Sequence, residues 1–202
     1  MDNRDFARSG DPTEAAVQSN KSFADGGNVI GRFNCECRDA DGNLKWEDSF
    51  DNLITTEGKK YLLDGIAAAN GWTAVHMGLI SGSGSGYSFA TPIIADTAAS
   101  HAGWQEVAAS GTVNTPNIAT RSVPSFGAAA LGTTETNKVT TATSFAIITN
   151  GGTVKGAIII INGTSACQNT TGKLFSAGVF SGGDKVVAVS DTLNVTYTAT
   201  LT

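Results

Sequence analysis

Charged side chains are scarce in this chain, 15% of its 202 residues against about 25% in an average soluble domain. There is no excess of bases: the formal net charge is -5, which supplies neither the basic footprint of a nucleic-acid binder nor a polybasic anchor for anionic lipid. No run approaches the roughly 18–20 apolar residues of a membrane span, so no membrane partner is expected. Met1-Asp2-Asn3-Arg4-Asp5 is polar and no apolar stretch of a secretory signal follows it, which predicts a chain made in a reducing cytoplasm. The cysteines are only Cys35, Cys37 and Cys167, an odd number that does not suggest a disulfide framework. The histidines are only His76 and His101, too few to build a zinc site without converging cysteines or carboxylates.

What charge there is sits early. Beyond Lys60 the acids are Asp64, Asp96, Glu106, Glu135, Asp184 and Asp191, and the bases Arg121, Lys138, Lys155, Lys173 and Lys185. A globule with so few charges is either polar through Ser and Thr or covered by neighbours, as in a symmetric assembly. Hydrophobic residues make up 41% of the chain, too many for disorder, and low charge with Gly, Thr and β-branched residues is an all-β composition.

Residues 1–27 have no periodicity and end in Asp25-Gly26-Gly27; they read as an extended N-terminal arm, ahead of one domain at 28–202. From Asn28, Phe33, Cys35 and Cys37 alternate with polar residues, the period-2 pattern of a half-buried strand. Asp39-Ala40-Asp41-Gly42 predicts a hairpin turn, with Leu44 to Glu47 as the returning strand. Glu57 to Asn70 predicts the one helix, with Leu62, Leu63, Ile66 and Ala69 as its apolar stripe and Thr55 or Thr56 as its cap. Strands are predicted at 72–80, within 138–149, at 154–161 as a central strand buried on both faces, at 174–180, at 185–189 and at 192–202. In the last, Leu193, Val195, Tyr197, Ala199 and Leu201 share one face. Residues 107–135 carry no clear signal. The fold class is therefore all-β: a β-sandwich, with the jelly roll as one form of it, plus one short helix.

No chemistry-bearing constellation stands out. Cys35-x-Cys37 places two thiols on one inward strand face, as core residues and not as a metal knuckle. Asp96, Ser100 and His101 contain the residue types of a hydrolase triad, but the chain has no G-x-S-x-G turn to present a nucleophile. Asp39-x-Asp41-Gly42 has its glycine too early for a calcium loop. A glycan hydrolase needs two placed carboxylates. For Asp96 and Glu106 simpler structural tasks are expected: Asp96 capping a turn at Thr97 to Ser100, and Glu106 facing solvent.

Four stretches carry motifs of one known family. Asn52-Leu53-Ile54 through Gly58 to Leu62-Leu63-Asp64 is similar to the family's "NL(V/I)xxxGxxxLLD" helix, and Trp72 through Gly78-Leu79-Ile80 to its "W…GLI" strand. Ala95-Asp96-Thr97-Ala98-Ala99-Ser100-His101-Ala102-Gly103-Trp104-Gln105-Glu106 is similar to its "ADTxASHAGWxE" segment. Gly182-Gly183-Asp184-Lys185 with Asp191 to Tyr197 is similar to its ending. Together these resemble a family of structural proteins from tailed bacteriophages, and the resemblance covers roughly 28–202. It implies a virion part: a capsid decoration (cement) protein on the capsid surface, made in the host bacterial cytoplasm. Its partners would be the major capsid protein and, as a homo-oligomer (dimer or trimer), further copies of itself. Neither a cofactor nor a metal nor a catalytic residue is expected, and nucleic acid is not an expected partner. Trp104, His101 and Asp96 are the candidates for an interface. A tail component (fibre, adhesin or head-to-tail connector) and a virion-associated glycan-binding module are the alternatives.

Overall fold

A computed structural model of the chain describes residues 28–66, 74–82, 89–101, 103–108, 116–132 and 136–202. The expected arm at 1–27 lies outside the described residues. The first hairpin follows from the alternation at Phe33, Cys35 and Cys37. β1 (Val29–Arg38) buries these three side chains, and the chain turns at Asp39 to Asn43 into β2 (Leu44–Ile54). The Asp39 carboxylate makes that turn by accepting from the N–H groups of Asp41 at 3.0 Å and Asn43 at 2.8 Å. Gly42 sits at φ 86°, where a side chain would be strained.

β2 is far longer than Leu44 to Glu47, and its length shapes the fold. It pairs with β1 from Leu44 to Asn52; then Leu53 and Ile54 pair instead with Ala177 and Ser176 of β9 (Lys173–Val179). One strand thus belongs to both layers. On one side lie β1, β2, β11 (Thr192–Leu201), β5 (Ala130–Leu131), β6 (Thr136–Val139) and β7 (Thr143–Ala146). On the other lie β3 (His76–Ser81), β4 (Gln105–Glu106), β8 (Gly152–Ile161), β9 and β10 (Lys185–Val187). All these pairings are antiparallel. β1 lies beside β2 and β8 beside β9, so chain neighbours share a layer instead of alternating between layers as in a jelly roll.

After β2, Thr55 caps α1 (Thr56–Ile66). Its hydroxyl oxygen accepts from the Gly58 N–H at 3.0 Å and donates to the Leu174 carbonyl, tying the helix start to β9. Glu57 in the first turn meets Lys173 at 3.3 Å. The expected helical residues 67–70, and burial of Ile66, lie outside what is described. Leu62 is half-buried and Leu63 exposed, so the expected stripe is narrower than its spacing implies.

Between the layers the core is aromatic and aliphatic. Phe33 packs on Phe50 and Tyr197, with ring centroids 5.3 and 4.9 Å apart, and Phe50 meets Phe180 edge-on at 5.1 Å. Cys35 and Cys37 are buried among them, and burial pushes the Cys37 thiol up to about 12, so neither is a ready nucleophile. β8 is buried on both faces. Ala157, Ile159 and Ile161 face the inter-layer core, while Ile158 and Ile160 point away into a second cluster with Ile80, Trp104 and Leu174. Ile159→Ala should cost about 2–5 kcal/mol in a urea melt. Ile148→Ala, at an exposed position, should stay within about 0.5 kcal/mol of the parent.

Candidate functional site

A strand buried on both faces needs a second wall, and residues 89–108 supply it. Trp104 is the keystone of that wall: only 1% exposed, it lies against Ile158, Ile160 and Leu174. An indole N–H in such a place needs an acceptor, and it donates to Asp96 Oδ2 at 3.0 Å. The same oxygen accepts from the Ile93 N–H at 2.7 Å. Asp96 therefore reaches back to Ile93 and across to Trp104 and does not cap the turn that follows. That turn closes itself: the Ser100 N–H donates to Thr97 Oγ1 at 3.0 Å. His101 stacks on Trp104 with ring centroids 3.9 Å apart, and its Nδ1 lies 2.8 Å from the Trp104 carbonyl. A carbonyl only accepts, so Nδ1 is the donor in this contact.

Glu106, at the end of the same segment, does not face solvent as its sequence position suggests. It is 4% exposed, and Arg121 beside it 2%. The guanidinium grips both carboxylate oxygens, Nε to Oε1 at 2.7 Å and Nη2 to Oε2 at 2.8 Å. Arg121 also donates to the carbonyls of Thr164 at 3.2 Å and Asn169 at 2.9 Å. Gln168 completes the set: its N–H donates to Glu106 Oε2 at 2.7 Å and its side-chain amide to the Glu106 carbonyl at 3.0 Å. Gly78 of β3 makes room, for a Cβ there would lie 2.7 Å from Glu106 Oε1 and 3.2 Å from Ile158 Cγ1. The pair thus clamps three distant pieces of chain: β4, the 116–132 segment and the loop before β9. A cavity of about 230 Å³ adjoins it, lined by His101, Trp104, Glu106, Arg121, Gln168 and Leu174. The charged groups on its wall are bonded to one another, which suits them to hold the wall in place and not to exchange protons with a substrate.

Of the three interface candidates, Asp96 and Trp104 are taken up by the chain's own interior; His101 alone is half-exposed. Asp96, Ser100 and His101 form no relay, since their hydrogen bonds run to Ile93, Trp104 and Thr97. Sequence reasoning missed Arg121 and Gln168. Arg121 left a trace: it is the last arginine, and the first base after Lys60. Among the described residues no three His, Cys, Asp or Glu side chains gather to hold a metal. His76 donates toward, or accepts from, no such cluster; its Nδ1 lies 3.2 Å from the Ala74 carbonyl.

The Gly182 to Lys185 turn has its own anchor in Asp48 of β2. Its carboxylate accepts from Ser181 Oγ at 2.7 Å, the Gly182 N–H at 3.0 Å and Lys185 Nζ at 2.9 Å. Burial works to raise this carboxyl, but the bonds from Ser181, Lys185 and Gly182 together outweigh it and hold Asp48 below its usual range. An open polar groove of about 850 Å³ runs beside it, with Glu36 bound to Arg38 and Asn194, and Asn34 to Ser49. Compared with protein-family models, with curated proteins and with solved structures, the chain matches none.

Arg121→Met should cost about 3–5 kcal/mol, because it leaves the Glu106 carboxylate buried and unpaired. Glu106→Gln in the same chain should recover part of that loss, which a double-mutant cycle by chemical denaturation will read. Asp48→Asn should cost about 1–3 kcal/mol at pH 7. A carboxyl lowered by folding contributes stability above its unfolded pKa and loses it as pH falls through the folded value. The gap between Asp48→Asn and the parent should therefore close below about pH 4, as followed by thermal melts across pH.

Proposed function

We propose that the chain is a structural component of a virus particle, and within that class a capsid decoration protein of a tailed bacteriophage. It would sit on the outer face of the major capsid protein lattice as a homo-oligomer and stabilise the shell. The observation that carries this reading is the contrast between interior and surface. Among the described residues the buried charged groups are committed to the fold, as Glu106, Arg121, Asp48 and Asp96 show. The surface meanwhile keeps large apolar side chains in water, with Leu131 at 89% exposure and Leu63, Val123 and Val186 also exposed. Single exposed apolar residues are ordinary, but this many on a charge-poor β-sandwich fit a protein covered by neighbours. The phage assignment is supported by the four segments that resemble phage structural proteins.

A decoration protein acts by mass action: it binds the assembled shell, and each bound copy adds free energy that disassembly must overcome. At 100 times the dissociation constant this contributes about 2.7 kcal/mol per site. Purified protein should add to empty expanded capsids of its phage in large, symmetry-related copy number and raise the temperature at which they break. Binding should depend little on salt, because screening acts on charges and the chain beyond Lys60 has few. A few copies at the tail would replace this reading with the fibre or connector, and specific capture of a host glycan with the binding module.

A further inference from the structure

The inner face of the first layer runs on past the layer that covers it. Directly paired residues of antiparallel strands point to the same side. Leu131, Thr136, Leu201 and Val29 are such a row, paired in turn across β5, β6, β11 and β1. Val29 and Leu201 have the parity of Phe33 and Tyr197, so the row belongs to the core face. Yet Leu131 is 89% exposed and Leu201 51%, where Phe33 and Tyr197 are buried. Val29, Thr136 and Leu201 of the row line a groove of about 580 Å³ whose open surface is mainly apolar, with Leu62 of α1, Val75, Phe126 and Ile159 also in its lining. That size is in the range of pockets that enclose a ligand.

We infer that this groove is the seat of the chain's own N-terminal segment, with Phe23 as the side chain that enters it. The first described residues lie at this spot. Asn28 exchanges backbone hydrogen bonds with Thr202 at 3.0 and 3.1 Å, and Val29 is already in the groove wall. Twenty-seven residues precede Asn28, and the six steps from Phe23 to Val29 span up to about 20 Å of extended chain, enough to cross the groove. Gly26 and Gly27 lie between, and glycine, with no Cβ, leaves the chain free to turn toward the inner face. Charge agrees. Lys138 lines the groove and has no ion pair among the described residues, and Asp25 lies two residues after Phe23. A tether this short keeps the segment at an effective concentration in the millimolar range, which favours the same chain over a neighbouring copy. The inference does not depend on where the protein acts.

Two measurements on the full-length protein test it. Phe23→Asp should raise the fluorescence of a hydrophobic dye such as anilinonaphthalene sulfonate several-fold, and Phe23→Leu should leave it near the parent value, with circular dichroism showing both variants folded. Unchanged dye binding in Phe23→Asp overturns the inference. In a Cys167→Ser background, Phe23→Cys with Leu62→Cys should form a disulfide within one chain on mild oxidation, read by non-reducing electrophoresis and peptide mass mapping. Two thiols that stay free, or a disulfide between chains, also overturn it, the latter in favour of an exchanged segment from another copy.

Discussion

Ile158 and Ile160 point away from the core that Ile159 and Ile161 enter, so β8 is stable only if a second wall covers its far side. Everything distinctive about residues 89–108 follows from that requirement. Trp104 supplies the apolar area, Asp96 takes its indole proton, and Glu106 with Arg121 fixes the end of the wall to the loop before β9. An ion pair so deep is costly to desolvate, and an apolar replacement can be as stable. What the pair adds is geometry. Two parallel bonds from the Nε–Nη2 edge of Arg121 hold the Glu106 carboxylate in a fixed orientation, and Gly78 leaves room for it beside Ile158. The wall therefore has one register on the sheet.

Three of the segments singled out in the sequence are joints of this architecture. The Gly78-Leu79-Ile80 strand meets the end of the Asp96 to Glu106 segment at Gly78, and Ile80 pairs with Glu106. The Gly182 to Lys185 turn is held by Asp48 of β2. Asp191 accepts from Lys45 and from the Ala188 N–H just before Leu193, Val195 and Tyr197 enter the core. Residues like these specify a fold before they specify a partner. At the surface, by contrast, Leu131, Leu63 and Val186 meet water.

How much of this was legible in the sequence depended on range. Period-2 alternation located β1 and β11, and the apolar run at 154–161 announced a strand buried on both faces, because these signals are local. The inward place of Cys35 and Cys37 followed from the same parity. Beyond that, local pattern misled. Leu201 has the parity of a core residue, but the opposing layer ends before it and leaves it exposed. Glu106 is a charged residue in a short polar stretch, and only closure of the chain onto Arg121 and Gln168 buries it. β2 read as a short returning strand because Asp48, Ser49, Asp51 and Asn52 hide its alternation. Its full length is set by two different partners, β1 and then β9.

Native-state hydrogen exchange tests most directly whether residues 89–108 are a wall of the core or a loop laid upon it. The amide of Val107 bonds to the Leu79 carbonyl at 2.8 Å, and β8 amides bond to both neighbouring strands. If the segment is part of the core, Val107 and Ile158 to Ile161 exchange only through global unfolding, with the same free energy and the same denaturant dependence. Exchange of Val107 by a local opening well below that free energy, while β8 stays protected, would contradict the account.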